Sequence, residues 1–171
     1  METSIFIFRR DLRVSDNLAL SSLLSKMSSS DNLLPIFIFN PKQIYADKNE
    51  YFSNNAVQFM IESLDSLEDQ IGHVNYYEDD DINVLNKLLH KYRIKNIAFN
   101  RDYTPFAIKR DAAITEWCEK HGINVITEED YTLHEMGKNV NGSGKPYQVY
   151  TPFYKAVLKT PVKKPVTINI H

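Results

Sequence analysis

The chain has 171 residues, of which 43% are hydrophobic and 25% are charged, and its formal net charge is -2. This is the composition of a globular domain, and no apolar run approaches the ~20 residues that a transmembrane helix needs. The N-terminal residues lack the pattern of a secretory signal, and the single cysteine, Cys118, cannot form an internal disulfide. We therefore expect an intracellular protein that does not contact a membrane.

Short apolar segments alternate with segments of helical periodicity over the first three quarters of the chain. Strands are predicted at residues 4–8, 33–39, 73–77, 96–100 and 124–127, and helices at residues 16–27, 54–71, 81–92 and 104–122. Ser15, Ser53 and Thr104 are the predicted N-caps, and Gly122 ends the last of these helices. Strands that alternate with helices predict an α/β fold, a Rossmann-like sheet of five parallel strands with helices on both faces.

Polar segments follow three of the predicted strands, at residues 9–13, 40–44 and 101–103. In parallel sheets, ligands bind beyond the carboxyl ends of the strands, near the point where the strand order reverses. The first segment holds three arginines and an aspartate, which are costly to bury unless they are paired or face a ligand. Two interpretations follow: an ion-pair network between domains, or a cleft for an anionic or polar planar ligand.

Three common kinds of site find no support in the sequence. Gly137 and Gly142 have the spacing of a phosphate-binding loop, but Ser143 stands where the loop needs a lysine. No GxGxxG fingerprint follows the first strand, which argues against a nicotinamide-dependent enzyme. The five histidines and Cys118 show no metal-ligand spacing, so we predict no metal site.

Several stretches of the chain, in order, resemble the DNA photolyase and cryptochrome family. They are FRRDLRVSDNLAL (8–20), FNPKQI (39–44), YFSNNAVQFMIESLDSL (51–67), FNRDYTPFAIKRD (99–111) and GSGKPYQVYTPFYKAV (142–157). Two positions depart from the family pattern, because Ile7 and Tyr154 stand where tryptophan is usual. The resemblance spans nearly the whole chain, and five motifs in order are far more specific than any one of them.

The resemblance implies the N-terminal α/β domain of such a protein, which holds a light-harvesting antenna chromophore. Residues 1–134 would form the antenna domain, residues 135–158 a loop and an aromatic segment that close it, and residues 159–171 the start of an inter-domain linker. Full members continue into a helical domain that binds the catalytic FAD and the DNA lesion. That domain is absent from this sequence, so we expect it in a longer or a separate polypeptide. A cryptochrome photoreceptor and a free-standing nucleotide-binding module are the alternatives to a photolyase.

The antenna type implied by the resemblance is a deazaflavin or a flavin rather than a folate. Folate-binding members place an Asn-Glu pair where this chain has Phe106 and Ala107, whereas Asp102 matches an acidic residue that faces the chromophore in deazaflavin-type members. A domain without an antenna stays an alternative. The residues expected to bind the cofactor are Arg9, Asp11, Phe39, Asn40, Asp102, Tyr103 and Phe106.

The helical FAD domain is also the partner that the resemblance implies, and Arg10, Arg13 and Lys155 are the residues expected to contact it. Damaged DNA would be bound only through that domain. Residues 1–154 carry 16 basic and 22 acidic side chains, and such an excess of negative charge disfavours DNA binding. We therefore expect no catalytic residue in this chain and no repair activity from the chain alone.

Overall fold

In residues 1–168, which the computed structural model describes, five parallel strands form a single sheet. The strands are β1 (Thr3–Phe8), β2 (Asn32–Phe39), β3 (Asn75–Glu78), β4 (Ile94–Asn100) and β5 (Asn124–Glu128), and the helices are α1 (Leu18–Lys26), α2 (Pro41–Ile44), α3 (Asn54–Ile71), α4 (Asp81–Lys91), α5 (Pro105–His121) and α6 (Tyr150–Val157). The strand order is β3-β2-β1-β4-β5, so β1 is central and the order reverses between β1 and β4. The α/β fold and its five-stranded parallel sheet are confirmed.

Helices cover both faces of the sheet, because the central strand carries large apolar side chains on both sides. Ile5 and Ile7 of β1 face α4 and α5, in a core that includes Leu85 and Ile114. The alternate β1 side chains, Phe6 and Phe8, pack instead with residues of α1 and α3; these include Leu20 and Leu67. Every residue of β1 is buried. Arg9 directly follows β1. Because it continues the alternation of Ile5 and Ile7, its side chain is directed toward the packed side of the sheet that faces α4 and α5.

Helix α1 begins later than predicted, and its N-cap is Asn17 rather than Ser15. The Asn17 side chain accepts a hydrogen bond from the backbone N–H of Leu20. Asp16 has a φ of 51°, in the left-handed region, so it cannot belong to the helix. The predicted caps Ser53 and Thr104 are confirmed, since their side chains accept from the backbone N–H groups of Ala56 and Ala107.

Strand β3 also lies further along the chain than predicted. Helix α3 ends at Gly72, which has a φ of 89°, and the chain needs the next two residues to return to the sheet. The backbone N–H of Val74 donates to Glu68 Oε1 rather than to a neighbouring strand. The strand therefore begins at Asn75 instead of His73.

Two short helices, α2 and α6, were not predicted from the sequence, and the segment beyond α6 returns to the sheet domain. The residues after Thr160 form neither helix nor strand as far as Ile168. Val166 hydrogen-bonds through its backbone to Asp16, and Ile168 packs against the α1–α3 side of the core. Within the described residues, no helix combines the length and apolar character needed to cross a bilayer.

Candidate functional site

A cavity of about 250 Å³ lies at the carboxyl ends of β1 and β2, and we call it the strand-end cavity. Its walls come from residues 7–10 and 37–40, from the segment after β2, and from one side of α3. Asp81 at the start of α4, Asp102 after β4 and Arg110 of α5 complete it. Segments that are distant in sequence therefore meet at the sheet edge where α/β folds bind ligands.

Arg9 forms part of a buried polar wall of this cavity. It continues the alternation of β1, so its side chain lies on the side of α5, where Nη1 donates to Asp111 Oδ1 at 2.7 Å. The guanidinium also lies over the Phe99 ring, 4.1 Å from its centroid. Nε and Nη2 are buried and have no hydrogen-bond partner among the described residues. Burial and the nearby Arg110 charge lower the pKa of Arg9 to about 10, although Asp111 opposes this shift.

A second guanidinium, that of Arg110, shares the same carboxylate. Its Nε donates to Asp111 Oδ1 at 3.1 Å, so one carboxylate oxygen accepts from both Arg9 and Arg110. Arg110 Nη2 is buried without a partner among the described residues. Buried donors that lack acceptors are uncommon in folded proteins, and a site for a polar ligand is one explanation for them. Arg9 and Arg110 both line the cavity, so N–H groups that have no acceptor among the described residues belong to side chains of its wall.

Asn40 and Asp81 supply acceptor groups on the same wall. Asn40 directly follows β2 and is the N-cap of α2, where its Oδ1 accepts from the backbone N–H of Lys42. Its Nδ2 donates to Asp81 Oδ2 at 3.0 Å. Asp81 lies in the first turn of α4, where a carboxylate is stabilised by the helix dipole, and both side chains are buried. The cap and the inter-residue hydrogen bond fix the position of this pair.

The remaining wall of the cavity is apolar. Phe37 and Ile38 of β2 and Val57 and Met60 of α3 line it. Phe37, Ile38 and Met60 belong to the core or pack against it, and Val57 is half-buried. An apolar wall that faces a few fixed polar groups is the usual lining of a site for a small organic ligand or cofactor.

The structure brings four of the seven predicted cofactor-binding residues to the strand-end cavity, namely Arg9, Phe39, Asn40 and Asp102. Asp102 lies at its edge, where Oδ2 is 3.5 Å from Arg10 Nη1 and Oδ1 accepts from the backbone of Tyr103. The residue types that sequence analysis selected at the ends of β1, β2 and β4 therefore do converge on one place.

Asp11 does not line the cavity, contrary to the sequence-based expectation. Its carboxylate accepts from the backbone N–H of Arg9 at 3.1 Å, from Asn17 Nδ2 at 3.2 Å and from Asn100 Nδ2 at 2.5 Å. Asn100 also donates to Asn17 Oδ1 and accepts from the backbone N–H of Ala19. We call Asp11, Asn17 and Asn100 the buried polar network. It joins the ends of β1 and β4 to the N-terminus of α1, which explains the buried position of Asp11.

Tyr103 and Phe106 also lie outside the strand-end cavity. Tyr103 lines a separate cavity beyond β4, together with Ile108 and Thr127, and burial raises the pKa of its phenol to about 12. Phe106 is partly exposed, with Arg110 over its ring at 5.8 Å. Tyr103 directly follows Asp102, and Phe106 lies in the first turn of α5.

The three residues predicted to contact another domain differ in their surroundings. Arg10 is largely exposed, and its guanidinium lies 5.7 Å from the centroid of the Tyr131 ring. Arg13 is engaged within the domain, because its Nη2 donates to Asp130 at 2.6 Å and to the backbone of Asp16. Lys155 is exposed on α6.

Sequence analysis missed several lining residues, among them Asp81, Arg110, Val57 and Met60. In the sequence, a carboxylate at the start of a helix is explained by the helix dipole, and apolar residues at helical spacing, such as Val57 and Met60, by packing against a core. Asp81 follows the carboxyl end of β3, a position at which the strand-end rule could have indicated it. Among the described residues, no group of three or more His, Cys, Asp or Glu side chains is placed to hold a metal ion.

A protein-family model matches most of the chain. The DNA photolyase model matches residues 4–167. Among curated proteins, cryptochrome-2 of Gallus gallus is 28% identical over 96% of this chain, and a deoxyribodipyrimidine photo-lyase of Synechococcus sp. is 26% identical over 95% of it. The chain spans 28% and 33% of these two relatives, about a third of their length.

A solved structure from an archaeon shares both the fold and part of the sequence. It is the crystal structure of a photolyase from Sulfolobus tokodaii with two FAD molecules, described as implying a novel light-harvesting cofactor. It is 36% identical to this chain, with a TM-score of 0.85, and the match covers 97% of this chain and 37% of that one.

Proposed function

The chain belongs to the DNA photolyase family, and we propose that its strand-end cavity binds a light-harvesting chromophore of the flavin or deazaflavin type. The observation that carries this proposal is the buried polar wall, in which Arg9 and Arg110 hold N–H groups that have no partner in the described part of the chain, opposite an apolar wall. The Sulfolobus tokodaii photolyase, which holds two FAD molecules, supports a flavin in particular.

The size and lining of the cavity fit a ring system better than a whole dinucleotide. Ligand pockets commonly measure about 300–1,000 Å³. The strand-end cavity, at about 250 Å³, is slightly smaller, so it suits a fused ring whose side chain extends to solvent. Val57 and Met60 would contact one face of the ring, and the polar wall would contact its edge. Tyr51 lies at the exposed mouth, where a ribityl or phosphate group would leave the cavity.

When bound, such a chromophore would absorb light and pass the excitation energy to a second flavin. The contribution of this chain would be to hold the ring at a fixed position and orientation and to exclude water from it. The hydrogen bonds that fix Arg9, Asn40 and Asp81 would provide that rigidity. No residue of this chain would take part in a bond-making step.

The proposal includes a helical FAD domain as partner, in the same or in a separate polypeptide. We propose that Arg10 and Lys155, which are both exposed, contact that domain, with Arg13 supporting the segment from within. DNA carrying pyrimidine dimers would be bound and repaired by the partner domain, inside the cell. Residues 1–154 carry an excess of acidic side chains, so this chain would add little affinity for DNA.

A second candidate is the same chromophore domain of a cryptochrome photoreceptor. The cryptochrome of Gallus gallus and the photolyase of Synechococcus sp. are similar to this chain to nearly the same degree, 28% and 26% identical. Light-dependent repair of a thymine-dimer oligonucleotide by the chain together with its FAD domain would support the photolyase. Light-dependent reduction of the FAD without repair would support the cryptochrome.

Chromophore binding is tested by titrating the purified chain with riboflavin, FMN, FAD and a reduced folate, following fluorescence. The blocking variant is Ala56→Trp, because Ala56 is an exposed residue of α3 that lines the cavity. Gln58→Trp is the matched control, since it adds the same side chain to an exposed position of α3 outside the cavity. We expect a flavin to bind more tightly than the folate, and Ala56→Trp to weaken it at least tenfold while Gln58→Trp leaves it unchanged.

Two results would count against the proposal. Equal flavin affinity in the Ala56→Trp and Gln58→Trp variants would mean that the flavin binds elsewhere on the chain. Tighter binding of the reduced folate would reverse the ranking of chromophores that was based on Phe106, Ala107 and Asp102.

A further inference from the structure

The polar wall of the strand-end cavity combines the guanidinium donors of Arg9 and Arg110 with the carboxylate acceptor of Asp81, and this combination indicates which part of a ligand the wall can recognise. Resting on the proposed function, we propose that Asp81 accepts a hydrogen bond from the ring N–H of the chromophore's imide edge, while Arg9 and Arg110 donate to the flanking carbonyl oxygens. An imide edge is the sequence C=O, N–H, C=O, as found in the pyrimidine part of flavins and deazaflavins. Asp81 is then the residue that selects for the ring N–H.

The Asp81 carboxylate has few hydrogen-bond partners of its own. The residue is buried, and within the described part of the chain the side-chain donor that it has is Asn40 Nδ2, at 3.0 Å from Oδ2. It forms no ion pair within 4.0 Å among the described residues. Asp81 Oδ1 accepts no hydrogen bond within the described part of the chain, and it is not among the fully buried atoms without a partner, so a donor that enters the cavity can reach this oxygen. A ligand N–H in the cavity would donate to it.

The charges of the polar wall balance one another. Arg9 and Arg110 bring two positive charges, and Asp111 and Asp81 bring two negative ones, so the four groups together are neutral. A phosphate at this wall would meet the Asp81 carboxylate as well as the guanidinium groups. A neutral edge that both donates and accepts suits the wall better. The phosphate of a nucleotide would lie toward the exposed mouth instead.

The donors and acceptors of the polar wall are held in position by other residues of the chain, without a ligand. Asp111 holds both guanidinium groups, Phe99 supports the face of Arg9, and Asn40 is held by its capping bond to the α2 backbone. Groups that are already ordered lose little conformational entropy on binding, which raises their contribution to specificity.

The test compares riboflavin with 3-methylriboflavin, in which a methyl group replaces the hydrogen of the imide nitrogen. A hydrogen bond to a charged group contributes about 1.5–3 kcal/mol, so we expect the unmodified chain to bind riboflavin roughly 10- to 100-fold more tightly than the methylated compound. Because the change is made in the ligand, this comparison does not depend on the folding of any variant.

The same pair of ligands is then titrated against Asp81→Ala. Removing the acceptor should weaken riboflavin binding and should bring the two affinities within about threefold of one another, whereas a merely steric effect of the methyl group would leave part of the preference in place. Asp81→Asn keeps an uncharged acceptor oxygen and should show an intermediate preference. Asp79→Ala, two residues earlier and outside the cavity, is the matched control and should retain the full preference.

Equal binding of the two compounds by the unmodified chain would overturn the inference while leaving the proposed function intact. Retention of the full preference in Asp81→Ala would also overturn it. Failure of both flavins to bind the unmodified chain would contradict the proposed function, and this inference with it.

Discussion

Replacing Asp11 by alanine should destabilise the domain strongly, because it removes the central acceptor of the buried polar network. Three N–H groups lose their acceptor: the backbone N–H of Arg9 and one of the two amide N–H groups of each of Asn17 and Asn100. All three network side chains are at most 4% exposed. Each buried donor left without an acceptor costs about 1–3 kcal/mol, so the loss should be about 3 kcal/mol or more.

The measurement is urea unfolding, followed by far-UV circular dichroism and by the fluorescence of Trp117. With a slope of about 2 kcal/mol per molar urea, a loss of about 3 kcal/mol lowers the midpoint by roughly 1.5 M. Asp47→Ala is the matched control, because Asp47 is exposed, and it should change the stability by less than about 0.5 kcal/mol. A loss below about 1 kcal/mol for Asp11→Ala would refute the reasoning, since it would mean that the network does not stabilise the fold.

Three further predictions concern other parts of the domain. Burial raises the pKa of the Cys118 thiol to about 12, so a thiol reagent at mildly alkaline pH should leave the native chain unmodified but modify it in concentrated guanidinium chloride. The pKa of Asp79 is lowered to about 2 by hydrogen bonds from Lys87, Asn83 and the Asp80 backbone, so the ionised carboxylate stabilises the fold. This stabilisation should be lost as the pH falls from 3.8 toward 2, and Asp79→Asn should reduce the accompanying fall in the urea midpoint. Leu85→Ala, at a fully buried position of α4, should cost about 2–5 kcal/mol in the same unfolding assay, and an unchanged midpoint would contradict the assignment of Leu85 to the core.

The sheet could be predicted from the sequence because its signals are local. Alternating apolar segments identified five strands, and Thr104 with Gly122 marked the two ends of α5. The start of α1 was mispredicted because two polar residues can cap the same helix, and the choice of Asn17 depends on a hydrogen bond from Asn100, 83 positions away. No local pattern contains that information.

The candidate site was predictable only in part, for a similar reason. The strand-end rule selected Arg9, Asn40 and Asp102, and these three residues line the same cavity. The rule states where a residue lies along the chain, but it does not state whether a side chain turns toward the cavity or, like Asp11, into the interior. The contribution of α3 depends on which face of a long helix packs beside the strand ends, and this is determined by tertiary packing.

The central claim is that a flavin-type ring occupies the strand-end cavity, and the crystal structure of the chain bound to riboflavin tests it most directly. The ring should lie between the α3 side chains Val57 and Met60 and the polar wall, with its imide edge toward Asp81 and Arg9. A flavin bound elsewhere, for example in the apolar groove beside Phe153 and Tyr154 of α6, with the strand-end cavity free of ligand, would contradict the account.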